Sequence, residues 1–161
     1  MSARLPEDRY LPDEYATVAF GGELAQWLYA DTGGQGKALV YLHGQLGAGK
    51  TTLVRGILRA LGHHGAVKSP TYTLLEPYDA QALYHFDLYR LGDPEELEFM
   101  GLRDYVNGES IVLIEWPERG GAFLPAPDLE LTIAVEGEGR RVTAEASTNA
   151  GQACLKKLEA S

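Results

Sequence analysis

The chain has 161 residues, of which 45% are hydrophobic and 23% charged, and its formal net charge is −9. This length and composition are typical of one globular domain with a substantial core. No apolar stretch reaches the roughly 20 residues of a membrane helix, and the polar start, Met1 to Arg9, lacks the apolar core of a signal peptide. We therefore expect a cytoplasmic protein with no membrane association. Because nucleic-acid-binding chains usually carry a basic stripe, we do not expect this acidic chain to bind RNA by itself.

The first half of the chain predicts alternating helices and strands. The segment from Ala16 to Ala30 indicates a short strand or turn followed by a helix, and the glycine-rich residues 31–37 are typical of a loop. The apolar run from Ala38 to Leu42 predicts a buried strand. A second glycine-rich loop then leads into a helix that Gly62 is placed to end. The apolar face of that helix consists of Leu53, Val54, Ile57, Leu58 and Leu61.

The second half predicts more strands and ends in a hairpin. Residues 69–76 indicate a loop entering a strand, and 83–88 alternate in polarity, which is typical of an edge or half-covered strand. Asp93 is expected to cap a helix with Pro94 in its first turn. Residues 110–115 form an apolar run that predicts a strand buried on both faces. The alternating segments 129–136 and 140–146 flank a Gly-Glu-Gly turn and predict an antiparallel hairpin.

One segment carries a complete phosphate-binding signature. Residues 44–51 match the pattern G-x-x-x-x-G-K-[ST] with a strand before them and an amphipathic helix after them. In this motif the glycines let backbone amides approach phosphate oxygens, and the following helix directs its positive end at them. Lys50 is expected to reach the β- and γ-phosphates, and the Thr51 hydroxyl to coordinate Mg²⁺. The sequence thus predicts a single P-loop ATPase domain over residues 1–161. Its expected α/β fold has three layers, a mixed, mainly parallel sheet and a C-terminal antiparallel hairpin.

A P-loop ATPase also needs an acidic residue near the metal. Glu115 ends the most apolar strand, and ligands of open α/β sheets bind at the carboxyl ends of the strands. We therefore prefer Glu115 as the metal-linked acid, acting directly or through a water. Asp87 is then expected to orient water or a switch segment, unless it is a structural partner of Arg90.

Four further residues each have two possible roles. Trp116 is either a partner contact or a core residue beside the phosphates. Thr71 and Thr73 occupy either a γ-phosphate-sensing switch segment or an ordinary loop-to-strand junction. His85 is more typical of a structural histidine on a sheet face than of a proton-transfer group.

Two sequence signatures are missing, and this restricts which nucleotide and which reaction we expect. The guanine-reading pattern N-K-x-D does not occur, which favours ATP over GTP. An arginine-rich lid of the kind expected in small-molecule kinases is also missing. A small-molecule or nucleoside kinase and a nucleotide-gated binding module without hydrolysis stay open as alternatives.

Four blocks of sequence together resemble the TsaE (YjeE) family. They are Gly44-Gln45-Leu46-Gly47-Ala48-Gly49-Lys50-Thr51-Thr52, Ser69-Pro70-Thr71-Tyr72-Thr73, Tyr84-His85-Phe86-Asp87-Leu88-Tyr89-Arg90-Leu91 and Glu115-Trp116-Pro117-Glu118. The resemblance implies the ATPase component of the bacterial machinery that makes threonylcarbamoyladenosine (t⁶A) at position 37 of tRNA. It implies ATP and Mg²⁺ as ligands and hydrolysis that resets the TsaB–TsaD transferase complex, with tRNA held chiefly by those partners.

The resemblance also implies roles for individual residues. Residues 44–52 match its nucleotide-binding loop, in which Lys50 and Thr51 match its phosphate and Mg²⁺ residues. Glu115 matches its metal-linked acid, and Asp87 and Trp116 match its other activity-linked positions. Thr71, which we also expect to take part in catalysis, falls within its signature blocks, as do Tyr89 and Arg90. By looser analogy, Asp13 and Arg140 are expected near the adenine and ribose. Gln45 departs from the family, which commonly has Asp there; because this position offers mainly its backbone to phosphate, we expect little loss of binding.

Overall fold

The fold is described from a computed structural model, which covers residues 3–4, 8–30, 37–106 and 109–160. The helices are α1 (Glu14–Ala30), α2 (Lys50–Ala60), α3 (Glu96–Phe99), α4 (Leu102–Val106) and α5 (Asn149–Ala160). The strands are β1 (Ala3–Arg4), β2 (Arg9–Leu11), β3 (Ala38–His43), β4 (Leu75–Tyr78), β5 (Leu83–Asp87), β6 (Ile111–Glu115), β7 (Leu129–Glu136) and β8 (Gly139–Ala146). The predicted loop at 31–37 lies almost entirely outside the described residues. No described helix is long and apolar enough to cross a membrane.

The strands form one mixed sheet with a parallel centre. Its order is β1-β8-β7-β3-β6-β5-β4, and β2 also pairs with β8. The neighbours β7, β3, β6 and β5 run parallel to one another, whereas β4 and β8 are antiparallel to the strands they flank. The predicted mixed, mainly parallel sheet and the C-terminal hairpin, formed by β7 and β8, are confirmed.

Helices cover the sheet on both faces, as predicted for a three-layer fold. On one face, α1, α2 and α5 pack on the sheet through residues such as Trp27, Ile57 and Leu155. On the other, Leu97 of α3 and Leu102 of α4 pack with the strand residues Phe86 and Ile114. The strand residues alternate between the two clusters because successive side chains of a strand point to opposite faces. The sheet is therefore buried on both sides where the central strands lie.

The helix after the P-loop is held tightly against α1. A side-chain carbon added at Gly56 of α2 would lie closer than 3.0 Å to the carbonyl oxygen of Val18 in α1. Only a residue without Cβ permits this approach. Leu53, Val54, Ile57 and Leu58 of the predicted apolar face are buried, and Leu61, which caps the end of α2, is partly buried. Gly62, with φ of 95°, follows that end. This packing fixes the position from which α2 presents its N-terminus.

Two predictions of local structure are wrong. β5 is an interior strand between β4 and β6 rather than an edge or half-covered strand. Its polar positions, His85 and Asp87, are buried because they meet polar partners and not solvent. No strand or turn occupies the start of the first helix, which already begins at Glu14. Asp93 makes the contacts of the predicted N-cap: its carboxylate accepts the amide of Glu95, which is already helical in backbone conformation, and its carbonyl oxygen accepts the amide of Glu96, the first residue of α3.

Candidate nucleotide-binding site

The loop between β3 and α2 has the local geometry of a phosphate-binding turn. It leaves β3 at His43 and enters α2 at Lys50, and the two glycines before the helix, Gly47 and Gly49, have φ of 79° and 110°. A side chain would be strained at these left-handed angles, which explains the glycines. The first amides of a helix have no intrahelical acceptor, so the N-terminus of α2 offers free N–H donors. Thr51 and Thr52 of this first turn line a cleft next to the loop.

The sheet brings both candidate acids to the same cleft. Because β5 and β6 run parallel and in register, Asp87 lies beside Glu115 at their carboxyl ends. Glu115 is also in register with Leu42, close to the point where β3 leads into the loop. Residues of the P-loop, both acids and Thr71 of the predicted switch segment thus line one cleft. Its lining residues include Gly47, Gly49, Lys50, Thr51, Thr52, Thr71, Asp87, Glu115 and Arg140.

Glu115 is the centre of a buried polar network. Its Oε1 lies 3.2 Å from Nζ of Lys50, and its Oε2 lies 2.6 Å from Nε2 of His85. The side chains of Lys50 and Glu115 are only 5% and 4% exposed. Lys50 also donates to the carbonyl oxygen of Gly44 at 2.6 Å. The lysine, the loop and the acid are therefore joined directly.

The pKa of Glu115 reflects these partners. Burial by itself raises the pKa of this carboxyl, because a charge is costly away from water. The interactions with His85 and Lys50 act in the opposite direction and prevail, so the pKa of Glu115 lies below its ordinary value. The residue is therefore an ionised acceptor in the neutral range.

His85 is the site residue that sequence reasoning undervalued. It is fully buried, and its Nδ1 has no hydrogen-bond partner among the described residues, so its polar contact is the one with Glu115. His85 precedes Asp87 by two residues on β5 and therefore shares its face. This spacing, combined with a parallel pairing of β5 and β6, is the signal that could have placed it beside Glu115.

Asp87 connects the cleft to the loop that precedes β4. Its Oδ2 accepts a hydrogen bond from the Thr71 hydroxyl at 3.1 Å, and its Oδ1 accepts the amide of Tyr89 at 2.9 Å. Thr71 is also within 2.7 Å of the Ser69 hydroxyl. Thr73, in contrast, is exposed and donates to Glu76. Of the two threonines, only Thr71 is in the cleft.

Trp116 packs against the site from the sheet face that α3 and α4 cover. Its ring centroid is 4.8 Å from Nζ of Lys50 and 5.0 Å from that of Tyr89. Its backbone is left-handed, with φ of 55°, a conformation that costs roughly 1–3 kcal/mol for residues other than glycine and clusters at functional sites. Trp116 also borders a cavity on the other side of the P-loop with Gly44, Gln45 and Ala48. The half-buried ring therefore packs beside the site and also lines this cavity.

A second cleft adjoins the P-loop and contains the two residues assigned by looser analogy. Asp13 and Arg140 line it together with Gly49 and Thr52. Asp13 accepts the amide of Ala16 at 2.9 Å and so caps α1. Nε of Arg140 donates to the carbonyl oxygen of Ala48 at 2.7 Å. Arg140 thus links the C-terminal hairpin to the P-loop and borders both clefts.

The fold and this site define an α/β protein of the P-loop NTPase type. The sequence matches the family model of the threonylcarbamoyl adenosine biosynthesis protein TsaE over residues 11–143, and the chain belongs to the TsaE family. The family membership connects it with the biosynthesis of threonylcarbamoyladenosine in tRNA, and it confirms the resemblance found in the sequence.

Individual relatives agree with this assignment. The chain is 51% identical to the tRNA threonylcarbamoyladenosine biosynthesis protein TsaE of Haemophilus influenzae, over 89% of this chain and 92% of that protein. It is 39% identical to the Bacillus subtilis protein of the same name, over 62% and 63%. The crystal structure of Bacillus subtilis YdiB superposes with a TM-score of 0.78 at 27% identity, covering 99% of this chain and 97% of that one.

Proposed function

We propose that this protein is an ATP hydrolase that supports synthesis of t⁶A at position 37 of tRNA, by allowing the TsaB–TsaD transferase complex to turn over. Membership of the TsaE family connects the chain with t⁶A biosynthesis, and ATP hydrolysis and the TsaB–TsaD partner are what we infer beyond it. The protein itself does not perform the carbamoyl transfer. It is slow alone and is activated by the partner complex.

The observation that carries this proposal is the convergence of loop, lysine and acids on one cleft. Lys50, Thr51, Asp87 and Glu115 come from three separate segments and line the same cleft at the N-terminus of α2. A helix N-terminus favours anions because of its free amides and its dipole. The same cleft supplies a cation for the phosphates and carboxylates for a metal and a water. This combination suits hydrolysis of a nucleoside triphosphate.

The residues present also fit Mg²⁺ bound together with a nucleotide. Among the described residues, no group of three or more His, Cys, Asp or Glu side chains could hold a metal by itself. Mg²⁺ in such sites is typically held by one or two protein oxygens, phosphate oxygens and waters. The Thr51 hydroxyl would supply a protein oxygen of that set, and Glu115 would take part directly or through a bound water. When bound, Mg²⁺ neutralises charge that develops on the phosphate oxygens.

The other residues of the cleft can bind the phosphates and orient the attacking water. Lys50 is positioned by Gly44 and Glu115 to meet phosphate charge from the floor of the cleft. Asp87 is a buried acceptor in the same cleft, and with Thr71 it can orient a water for attack. Both oxygens of Glu115 already contact His85 and Lys50. This favours a role for Glu115 through a metal-bound water over direct coordination.

The experiment is phosphate release from ATP by the purified chain, with and without TsaB–TsaD. We expect slow turnover alone, acceleration by the complex, and a requirement for Mg²⁺. Deleting the gene should lower t⁶A in tRNA measured by mass spectrometry. Unchanged t⁶A in a strain without a paralogue would contradict the proposal.

A second assay separates hydrolysis from phosphate transfer. ATP labelled on its γ-phosphate is incubated with the chain and a panel of nucleosides and small alcohols. We expect the label only in inorganic phosphate. Label in an acceptor would favour the small-molecule or nucleoside kinase instead.

A further inference from the structure

Tyr72 and Arg90 form an exposed, stacked pair close to the nucleotide cleft. The side chain of Tyr72 is 81% exposed, and the guanidinium carbon of Arg90 lies 4.2 Å from the centroid of its ring. Arg90 is exposed as well. Attraction between a guanidinium and an aromatic face restrains both side chains. The pair is therefore a preformed feature of the surface.

The polar groups of this pair are unused within the described part of the chain. There the guanidinium of Arg90 forms no ion pair and the hydroxyl of Tyr72 forms no hydrogen bond. Other arginines at the surface are paired, for example Arg103 with Glu98 and Arg141 with Glu136. A guanidinium is only a donor, and a tyrosine hydroxyl can donate. Together they suit a ligand that presents acceptors, such as a carboxylate.

Tyr72 and Arg90 each follow a residue that donates a hydrogen bond to Asp87 of the cleft. Tyr72 directly follows Thr71, whose hydroxyl donates to Asp87. Arg90 directly follows Tyr89, whose amide donates to the same carboxylate. Neither Tyr72 nor Arg90 lines the cleft itself. A partner bound to the pair would thus sit beside the site without occupying it.

We propose that the Tyr72–Arg90 pair anchors the docking of a partner protein that presents a carboxylate to it. Tyr and Arg are enriched among the residues that dominate interface energies, since they combine large contact area with polar groups. An RNA phosphate offers similar acceptors, but a chain with a net charge of −9 repels a polyanion. The inference rests on the proposed function, which names TsaB–TsaD as the partner.

The test measures binding of TsaB–TsaD to the full-length chain by calorimetry, with ATP and Mg²⁺ present. Tyr72→Ala and Arg90→Ala are each expected to weaken binding by about tenfold, and Arg90→Glu by more, as expected at interface hot spots. Arg90→Lys should lie between wild type and Arg90→Ala, because lysine keeps the charge but loses the planar fork. Hydrolysis of ATP by the isolated variants should stay at the wild-type rate.

Phe99 and Arg103 provide a matched control. Phe99 is 90% exposed, and Arg103 is an exposed arginine whose carboxylate partner, Glu98, lies on the protein itself. Phe99→Ala and Arg103→Ala should bind the complex like wild type. Thermal unfolding of all variants checks that the exposed substitutions leave the fold intact.

Two results would overturn the inference while leaving the proposed function standing. One is wild-type affinity of Tyr72→Ala and Arg90→Glu for TsaB–TsaD. The other is loss of tRNA binding by these variants with binding of the complex unchanged, which would identify an RNA ligand. Failure of the wild-type chain to bind TsaB–TsaD at all would overturn both proposals.

Discussion

Nε2 of His85 lies 2.6 Å from Oε2 of Glu115, and both side chains are buried between the sheet and the P-loop helix. The contact orients the carboxylate so that its other oxygen faces Lys50. His85 is thus a positioning residue for the acid that we link to the metal. Hydrogen bonds from neighbouring residues to a side chain at a metal site commonly affect metal affinity and activity.

Replacing His85 should therefore impair Mg²⁺-dependent turnover in a graded way. His85→Leu removes the contact to Glu115, and we expect a loss of about 10–100-fold in hydrolysis or metal affinity, as for other such partners of metal ligands. His85→Gln can still donate an N–H to the carboxylate and should lose less. The measurement is the rate of phosphate release as a function of Mg²⁺ concentration. Equal rates for His85→Leu and wild type would contradict the assigned role.

Glu115 and Asp87 should be separable by substitution. Glu115→Ala is expected to weaken the Mg²⁺ dependence of ATP binding, and Asp87→Ala chiefly to reduce turnover, because Asp87 contacts Thr71 and not Lys50. ATP affinity with Mg²⁺ and with a chelator, together with single-turnover hydrolysis, distinguishes the two effects. The assignment is wrong if both substitutions change metal affinity equally.

Stability should depend on pH through Glu115. The pKa of this group is lowered in the folded protein, so the carboxylate stabilises the fold above the unfolded pKa and this contribution is lost as the pH falls through the folded pKa. The free energy of unfolding in urea should fall in acid more for wild type than for Glu115→Gln. This additional loss of stability in the wild type should begin as the pH falls to about 4.5, the ordinary pKa of the group. A difference between the two proteins that is constant from pH 7 to acid would exclude this linkage.

The contact between α1 and α2 should tolerate no side chain at Gly56. Gly56→Ala places a carbon against the carbonyl oxygen of Val18, and overpacking of this kind costs about 1–3 kcal/mol. Gly22→Ala is the matched control in the same pair of helices, since its new carbon would meet the nearest atom only at 4.0 Å. That change should stabilise the fold by about 0.5–1 kcal/mol, the usual gain of alanine over glycine in a helix. Chemical denaturation measures both, and similar effects of the two substitutions would refute the packing argument.

The P-loop could be predicted from sequence because its physics is local. A glycine-rich turn between a strand and an amphipathic helix is specified by residues 44–62, and the structure places these elements where the pattern indicates. The same holds for Glu115, since an apolar run that ends in an acid predicts a buried strand with the acid at its end. The C-terminal hairpin follows from alternation on either side of a glycine turn. In each case the deciding interactions lie within about twenty residues of one another.

Contacts between residues that are distant in sequence were decided only by the tertiary structure. Alternation in residues 83–88 predicted partial exposure, but the polar side chains of β5 are buried because β6 and the loop before β4 supply Glu115 and Thr71 as partners. Likewise, Arg140 reaches the carbonyl oxygen of Ala48 across 92 residues, and Arg90 stacks on Tyr72 only because β5 returns beside that loop. A periodicity reports which residues share a face, whereas strand order decides what that face meets. The sequence by itself therefore determined the glycine-rich loop and the helix that follows it, and the order of the strands determined which side chains line the cleft beside that loop.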